Sequence, residues 1–154
     1  MPTKLWGNCT WLFFHVLAEN IREDKFDVMK PLIIDIIKDT CIHLPCPYCA
    51  EDAVKIINQG YIQNIKNKEH LVEFLRQFHN IVNTKLGNKT VSIDEIKNLN
   101  YDKYNLIQIV NQLFKIYTIK YGIMKLMANN LQRSYYLKRL EKNIQKFQEI
   151  KYKS

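Results

Sequence analysis

Phe78-His79-Asn80-Ile81-Val82-Asn83 lies within the stretch whose reading decides the fold, Lys68 to Leu86. Across it Leu71, Phe74, Leu75, Phe78, Val82 and Leu86 recur every three or four residues, the period of one buried face of an α-helix. Gly87 stands where a helix end takes up left-handed backbone. His79 and Asn83 are four residues apart and share a face with Val82 and Leu86, while Asn80 is turned toward its edge. One helix thus offers a ring, two amides and an apolar floor to a planar ligand. From the residues alone, aromatic and imidazole side chains at helical spacing are more often plain core than a cofactor box.

Outward from this helix the same period returns. Leu5 to Ile21 predicts a first helix with Trp11, Phe14, His15 and Ala18 at helical spacing, so Trp11 and His15 offer a second wall. Asp27 to Asp39 predicts a second helix through Met29, Ile33, Ile36 and Ile37, with Pro31 tolerable only in a first turn. Pro45 breaks the pattern, and a third helix is expected from Cys46 or the next residue to about Gln59, stopped by Gly60. Ser92-Ile93-Asp94-Glu95 has the form of a capping box that opens one short further helix. Two amphipathic stretches, Tyr104 to Met127 and Leu131 to Ile150, are expected to meet around Asn129-Asn130. With only four Gly and four Pro in 154 residues, the class is all-α. The expected architecture is a four-helix bundle with a short fifth helix over residues 1–100, followed by a helical hairpin over residues 101–154.

Charge divides at the same place. Residues 1–96 carry 11 Lys plus Arg against 12 Asp plus Glu, and residues 97–154 carry 12 against 3. A basic, tyrosine-rich tail could meet nucleic acid or an acidic partner, but no nucleic-acid fold is visible, and a packed helical hairpin is the favoured reading. No run of residues is apolar enough for a membrane span, and Met1 to Trp6 lacks a signal-peptide core, which predicts a soluble protein not secreted by the usual route.

Cys46-Pro47-Tyr48-Cys49 places two sulfurs one helical turn apart. A thiol at a helix N-terminus faces unpaired N–H groups and the positive end of the dipole, which favour a thiolate, and Pro47 costs no hydrogen bond there. That suits reversible exchange. The alternative is a zinc site completed by Cys41 and His43, but these candidates crowd into nine residues where closed sites present two spaced pairs. His43 could tune the thiolate, although a loop histidine beside a proline is more often solvated. Cys9 and Cys41 could pair, relay electrons or remain buried thiols.

Three motifs in order, Trp11 to His15, Leu44-Pro45-Cys46-Pro47-Tyr48-Cys49, and Phe78 to Asn83 running on through Lys85-Leu86-Gly87-Asn88-Lys89, resemble the Erv/ALR flavin-dependent sulfhydryl oxidases, in particular the short forms of large cytoplasmic DNA viruses. The resemblance covers about residues 5–100. It implies a helical bundle that holds FAD, lined by Trp11, His15, His79, Asn80, Val82, Asn83, Lys85 and Lys89, and a homodimer formed mainly through the first two helices. It also implies that Cys46 meets the substrate thiol and that Cys49 passes the electron pair to the flavin and on to oxygen, giving hydrogen peroxide, in an electropositive setting. The chain departs from the family pattern in having Leu44 where an aromatic is common and Lys85 where Arg is common. It has no evident adenine-stacking Trp, for which Tyr101 or Tyr104 could stand in, and no cysteine after Cys49 to form a shuttle pair. The thiol donor would be a dithiol protein or a thioredoxin-like relay protein. The expected location is the cytoplasm of an infected cell, with packaging in the virion as an option. The rival reading is a zinc- or flavin-binding interaction module without oxidase activity.

Overall fold

In the computed structural model, which describes residues 3–92, 94–95, 101–118 and 124–153, six helices and three short 3-10 turns account for the regular structure, with no strand among the described residues. The helices are α1 (Thr3–Glu19), α2 (Phe26–Ile42), α3 (Pro47–Gln59), α4 (Lys68–Lys85), α5 (Leu106–Tyr117) and α6 (Met124–Tyr152). No described helix is long and apolar enough to cross a membrane.

The all-α expectation holds, and the differences have local causes. α2 starts at Phe26 and runs on to Ile42, so Pro31 lies beyond its first turn. The proline deprives Asp27 of a helical donor, and Asp27 lies on an exposed part of the helix where water can replace it. Gly60 does end α3, but in right-handed backbone, and Tyr61 takes the left-handed conformation at φ 54°. A glycine is required at 60 because a Cβ there would meet a ring carbon of Phe74 at 2.8 Å. Gly87 takes φ 74°, as its position after α4 predicts. Glu95 donates its N–H to Ser92 Oγ at 3.2 Å, so the capping box forms, while Ile93 and residues 96–100 of the short fifth helix lie outside the described residues. The C-terminal stretches break after Tyr117 rather than at Asn129-Asn130: Thr118 caps α5 and bonds back to Lys115 O at 3.0 Å, whereas α6 runs continuously from Met124.

The largest departure concerns α1. Its sequence shows one apolar face, yet six consecutive residues, Phe13 to Ala18, are buried. Six successive residues point in every direction around a helix, so α1 is surrounded. α4 covers one side and α5 lies along the other, in the most extensive pairing of elements among the described residues. α5 presents Leu106, Ile109, Val110, Leu113, Ile116 and Tyr117 in a single stripe to that contact, and α6 packs on α2 through Tyr136, Leu137, Leu140, Ile144 and Phe147.

Two tyrosines anchor these contacts. Thr10 Oγ1 donates to Trp6 O and Thr40 Oγ1 to Ile36 O, each at 2.7 Å, so each threonine oxygen is left to accept a tyrosine O–H. Tyr117 bonds Thr10 at 2.5 Å and Tyr136 bonds Thr40 at 2.6 Å. Burial raises both phenols above their usual range, so both remain protonated donors. At the far end of α6, the carbonyls of Ile150 and Lys151 accept from Lys25 Nζ and Arg22 Nη1, each at 2.9 Å, which places cations at the negative end of the helix. α5 and α6 therefore add their buried apolar residues to the same core as α1 and α2.

Urea unfolding tests this anchoring. Tyr136→Phe is expected to lose about 1 kcal/mol, the net value of one buried hydrogen bond. Tyr136→Ala is expected to lose about 3–5 kcal/mol, because it empties the space of a fully buried ring. An Ala variant as stable as the parent would mean that α6 does not pack on α2.

Candidate functional site

α3 begins with Pro47 at its first position, where a missing N–H is harmless, and Cys46 occupies the N-cap in extended backbone. Cys46 Sγ accepts the backbone N–H of Cys49 at 3.3 Å, so the sulfur takes the place usually filled by a capping oxygen. The Cys49 thiol donates to Cys46 Sγ across 2.7 Å, and both cysteines are free thiols. Burial, the hydrogen bond to Cys46 and the nearby charges of Cys46 and Asp52 push Cys49 up to about 12. These influences disfavour a Cys49 thiolate, against the expected electropositive setting.

A flat wall is assembled from α1 and α4. Trp11 stacks on His79 with ring centroids 4.1 Å apart and 12° between planes, and Phe78 meets the edge of Trp11 at 4.8 Å. His15 Nε2 lies 3.3 Å from His79 Nδ1. Burial, with a smaller effect from His79, lowers His15 to about 3, and burial lowers His79 to about 4. Both rings are neutral near pH 7, so one nitrogen of the pair donates and the other accepts. Tyr101 extends the wall by stacking on His15 at 5.0 Å and 18°, while Tyr104 lies beyond it, 6.2 Å from Tyr101.

The sequence-predicted residues divide into three groups. Trp11, His15 and His79 come together in the wall, with Val82 packed against the core and Asn83 buried on the same helix. Asn80 has a partner of its own: its amide donates to Val91 O and accepts from Val91 N, each at 2.8 Å, which pins the segment after α4 back onto the helix. Lys85 and Lys89 are exposed near the end of α4 and in that returning segment. The wall is of the neutral aromatic and imidazole kind that a planar ring system would pack against, and the two lysines are cations of the kind a phosphate would meet.

The rival metal ligands do not gather. Cys41 is fully buried and raised to about 12 by desolvation, Cys9 is raised to about 11 for the same reason, and among the described residues no three His, Cys, Asp or Glu groups converge. His43 is not solvated. Its Nδ1 lies 2.8 Å from Asp39 O and 3.2 Å from Asp39 Oδ1, and its ring stacks on Tyr136 at 5.3 Å and 7°. Arg139 grips Asp39 with two bonds of 2.9 and 3.0 Å. α6 thus holds the residues just ahead of Cys46. Sequence reasoning missed this link because its only trace is a histidine three residues before Cys46 and a lone Tyr-rich stretch nearly a hundred residues later.

The model of the Erv1 / Alr family matches residues 8–103, more than half of the chain. The mitochondrial FAD-linked sulfhydryl oxidase erv1 of Schizosaccharomyces pombe is 28% identical over 82 residues, which are 53% of this chain and 45% of that protein. The chain thus spans a little under half the length of that relative. No solved structure matches the chain.

Because His15 and His79 titrate below their ordinary value of 6.5, the unfolded chain takes up protons first as pH falls. Their stability contribution is complete above about pH 6.5 and declines as pH falls toward 4, with a slope approaching ~1.4 kcal/mol per pH unit from His15 and a smaller share from half-buried His79. Urea midpoints at pH 7, 6 and 5 check this, and a flat profile would contradict the burial. Asn80→Ala is expected to speed hydrogen exchange at the Val91 amide, which loses its acceptor, and unchanged protection there would argue against the clamp.

Proposed function

Because the chain belongs to the Erv1 / Alr family, we propose that it is an FAD-linked thiol oxidase that joins two protein thiols into a disulfide and returns their electrons to oxygen as hydrogen peroxide. The observation that carries this reading is the Cys46 and Cys49 pair at the start of α3, 2.7 Å apart, packed at the margin of the same core that bears the Trp11 and His79 wall.

The pair works from its disulfide form. A substrate thiolate attacks Cys46 Sγ, the bond between Cys46 and Cys49 breaks, and the Cys49 sulfur leaves and takes a proton, in keeping with its high affinity for one. A second substrate thiol then breaks the mixed disulfide and frees Cys46. The result is the dithiol. FAD, when bound, accepts two electrons and two protons from such a dithiol and supplies the chemistry that reduces oxygen. Trp11, His15 and His79 would hold its ring system, with Val82 and Asn83 on the same helix. Lys85 and Lys89 would meet its phosphates as point charges. Asn80 would act through the Val91 clamp, which positions the segment that carries Lys89.

We assign the redox chemistry to residues 1–100, with residues 101–154 as a basic helical extension that supports it. The substrate is a dithiol protein or a thioredoxin-like relay protein. A homodimer built on the first two helices would use the surface that α5 and α6 leave open, where Leu5 and Val28 are exposed. The setting is the reducing cytoplasm of an infected cell, supported by the likeness of the three motifs to short viral forms; there a dedicated oxidase is needed to make disulfides persist.

The purified chain should be yellow and should consume oxygen when given dithiothreitol. Cys49→Ser should abolish uptake while the colour remains, and Trp11→Ala should bind FAD more weakly by fluorescence titration. A colourless protein that also refuses added FAD would sink the oxidase reading.

A further inference from the structure

α3 has two working faces. Ala53, Ile56 and Ile57 are buried in the core with Cys49 packed against it, whereas Pro47, Ala50 and Val54 line a cleft of about 550 Å³ on the adjoining face, where Val54 also touches the core. Leu44, at the end of the loop that leads into Cys46, continues this apolar floor. The far wall is Gln132 and Arg133 of α6, and Glu51 and Lys55 stand at the rim. Ala50 is only 8% exposed yet lies outside the main core cluster, so its burial belongs to the cleft.

We propose that this cleft, completed by α6, is a docking site for the polypeptide that flanks the substrate cysteine, and that it selects protein dithiols with a large apolar residue beside the attacking cysteine. The proposal rests on the thiol-oxidase reading above. Its argument is continuity. A thiol that bonds to Cys46 must come within about 2 Å of its sulfur. Pro47, the next residue, already lines the cleft, so the chain on one side of the incoming cysteine crosses Pro47 and Leu44 and enters it. An apolar floor without charge favours an apolar side chain, and a cleft of this size lies within the range of small binding sites. The floor and wall are held together: Arg139 on Asp39 and Tyr136 against His43 tie α6 to the loop that carries Cys46. A small dithiol needs none of this surface.

The chemical step is the exchange described above: two electrons and two protons leave the docked dithiol, the Cys46–Cys49 disulfide opens, and the partner's disulfide closes.

The test uses the full chain loaded with FAD and two reduced dithiol peptides of equal length, one with Leu and one with Ser next to the first cysteine. Dithiothreitol serves as the reference thiol. The expected result is a kcat/KM for the Leu peptide roughly tenfold above that for the Ser peptide, the discrimination that one apolar side chain in a pocket provides. Val54→Gln on the floor and Gln132→Trp on the wall should each collapse that ratio toward one, mainly through KM. Equal kcat/KM for the two peptides in the parent would overturn the cleft while leaving the oxidase intact, and so would variants that keep the full preference. No oxygen uptake with dithiothreitol or either peptide would overturn the oxidase reading and the cleft with it. The parent's comparison of peptides decides the matter even if a variant fails to fold.

Discussion

The rest of the structure depends on the enclosure of the C-terminal half of α1. From Phe13 to Ala18 no side chain of this helix reaches solvent appreciably, so both flanking layers must be present before it is stable in place. α4 supplies one layer and, with it, the partners of Trp11 and His15. α5 supplies the other, and Tyr117 reaches across to Thr10. The same helix thus carries the candidate cofactor wall on one side and the anchor of the C-terminal extension on the other. A disturbance on either side is felt by a rigid rod that belongs to both.

α6 plays the matching part for α2. Its C-terminal carbonyls are held by Arg22 and Lys25 in the connection between α1 and α2, and its middle is held by Tyr136 on Thr40. Arg139 and the ring of Tyr136 then reach Asp39 and His43, where α2 gives way to the redox loop. Buried polar contacts of this kind add modest net stability, but they fix register, because any other alignment leaves a buried hydroxyl or charge without its partner. The extension is therefore tied to the position of Cys46 by directional bonds as well as by apolar contact.

Where a sequence signal is local, the residues were legible. The stripe that starts at Leu71, Gly87 after α4, Pro47 at the head of α3 and the Ser92 capping box each act within one or two turns, and the structure follows them except at the end of the stripe, where Leu86 is exposed. Where the cause is a distant partner, they were not. Gly60 is the helix stop its position predicts, but the reason it must be glycine is the Phe74 ring, which arrives from another helix. Asn80 reads as a ligand-facing amide, but it spends its hydrogen bonds on Val91. The outer face of α1 carries Phe13, Val16 and Leu17, whose burial can be explained only once α5 is known to cover it. The sequence offers Tyr101 as an aromatic stand-in, but its stacking on His15 depends on the turn that delivers it there.

The two halves of the site share one electrostatic principle, since both use burial to remove charge rather than to install it. Desolvation keeps His15 and His79 neutral, so no imidazolium pair repels across the wall. Desolvation and the Cys46 sulfur likewise keep the proton on Cys49. Cys46, at the helix terminus, is left as the acceptor of the pair, aided by the backbone N–H of Cys49. This asymmetry gives the dithiol a direction. Cys46 Sγ accepts from both the N–H and the thiol of Cys49, and burial makes the Cys49 proton the harder one to remove. Lys85 and Lys89, by contrast, lie exposed at and beyond the end of α4.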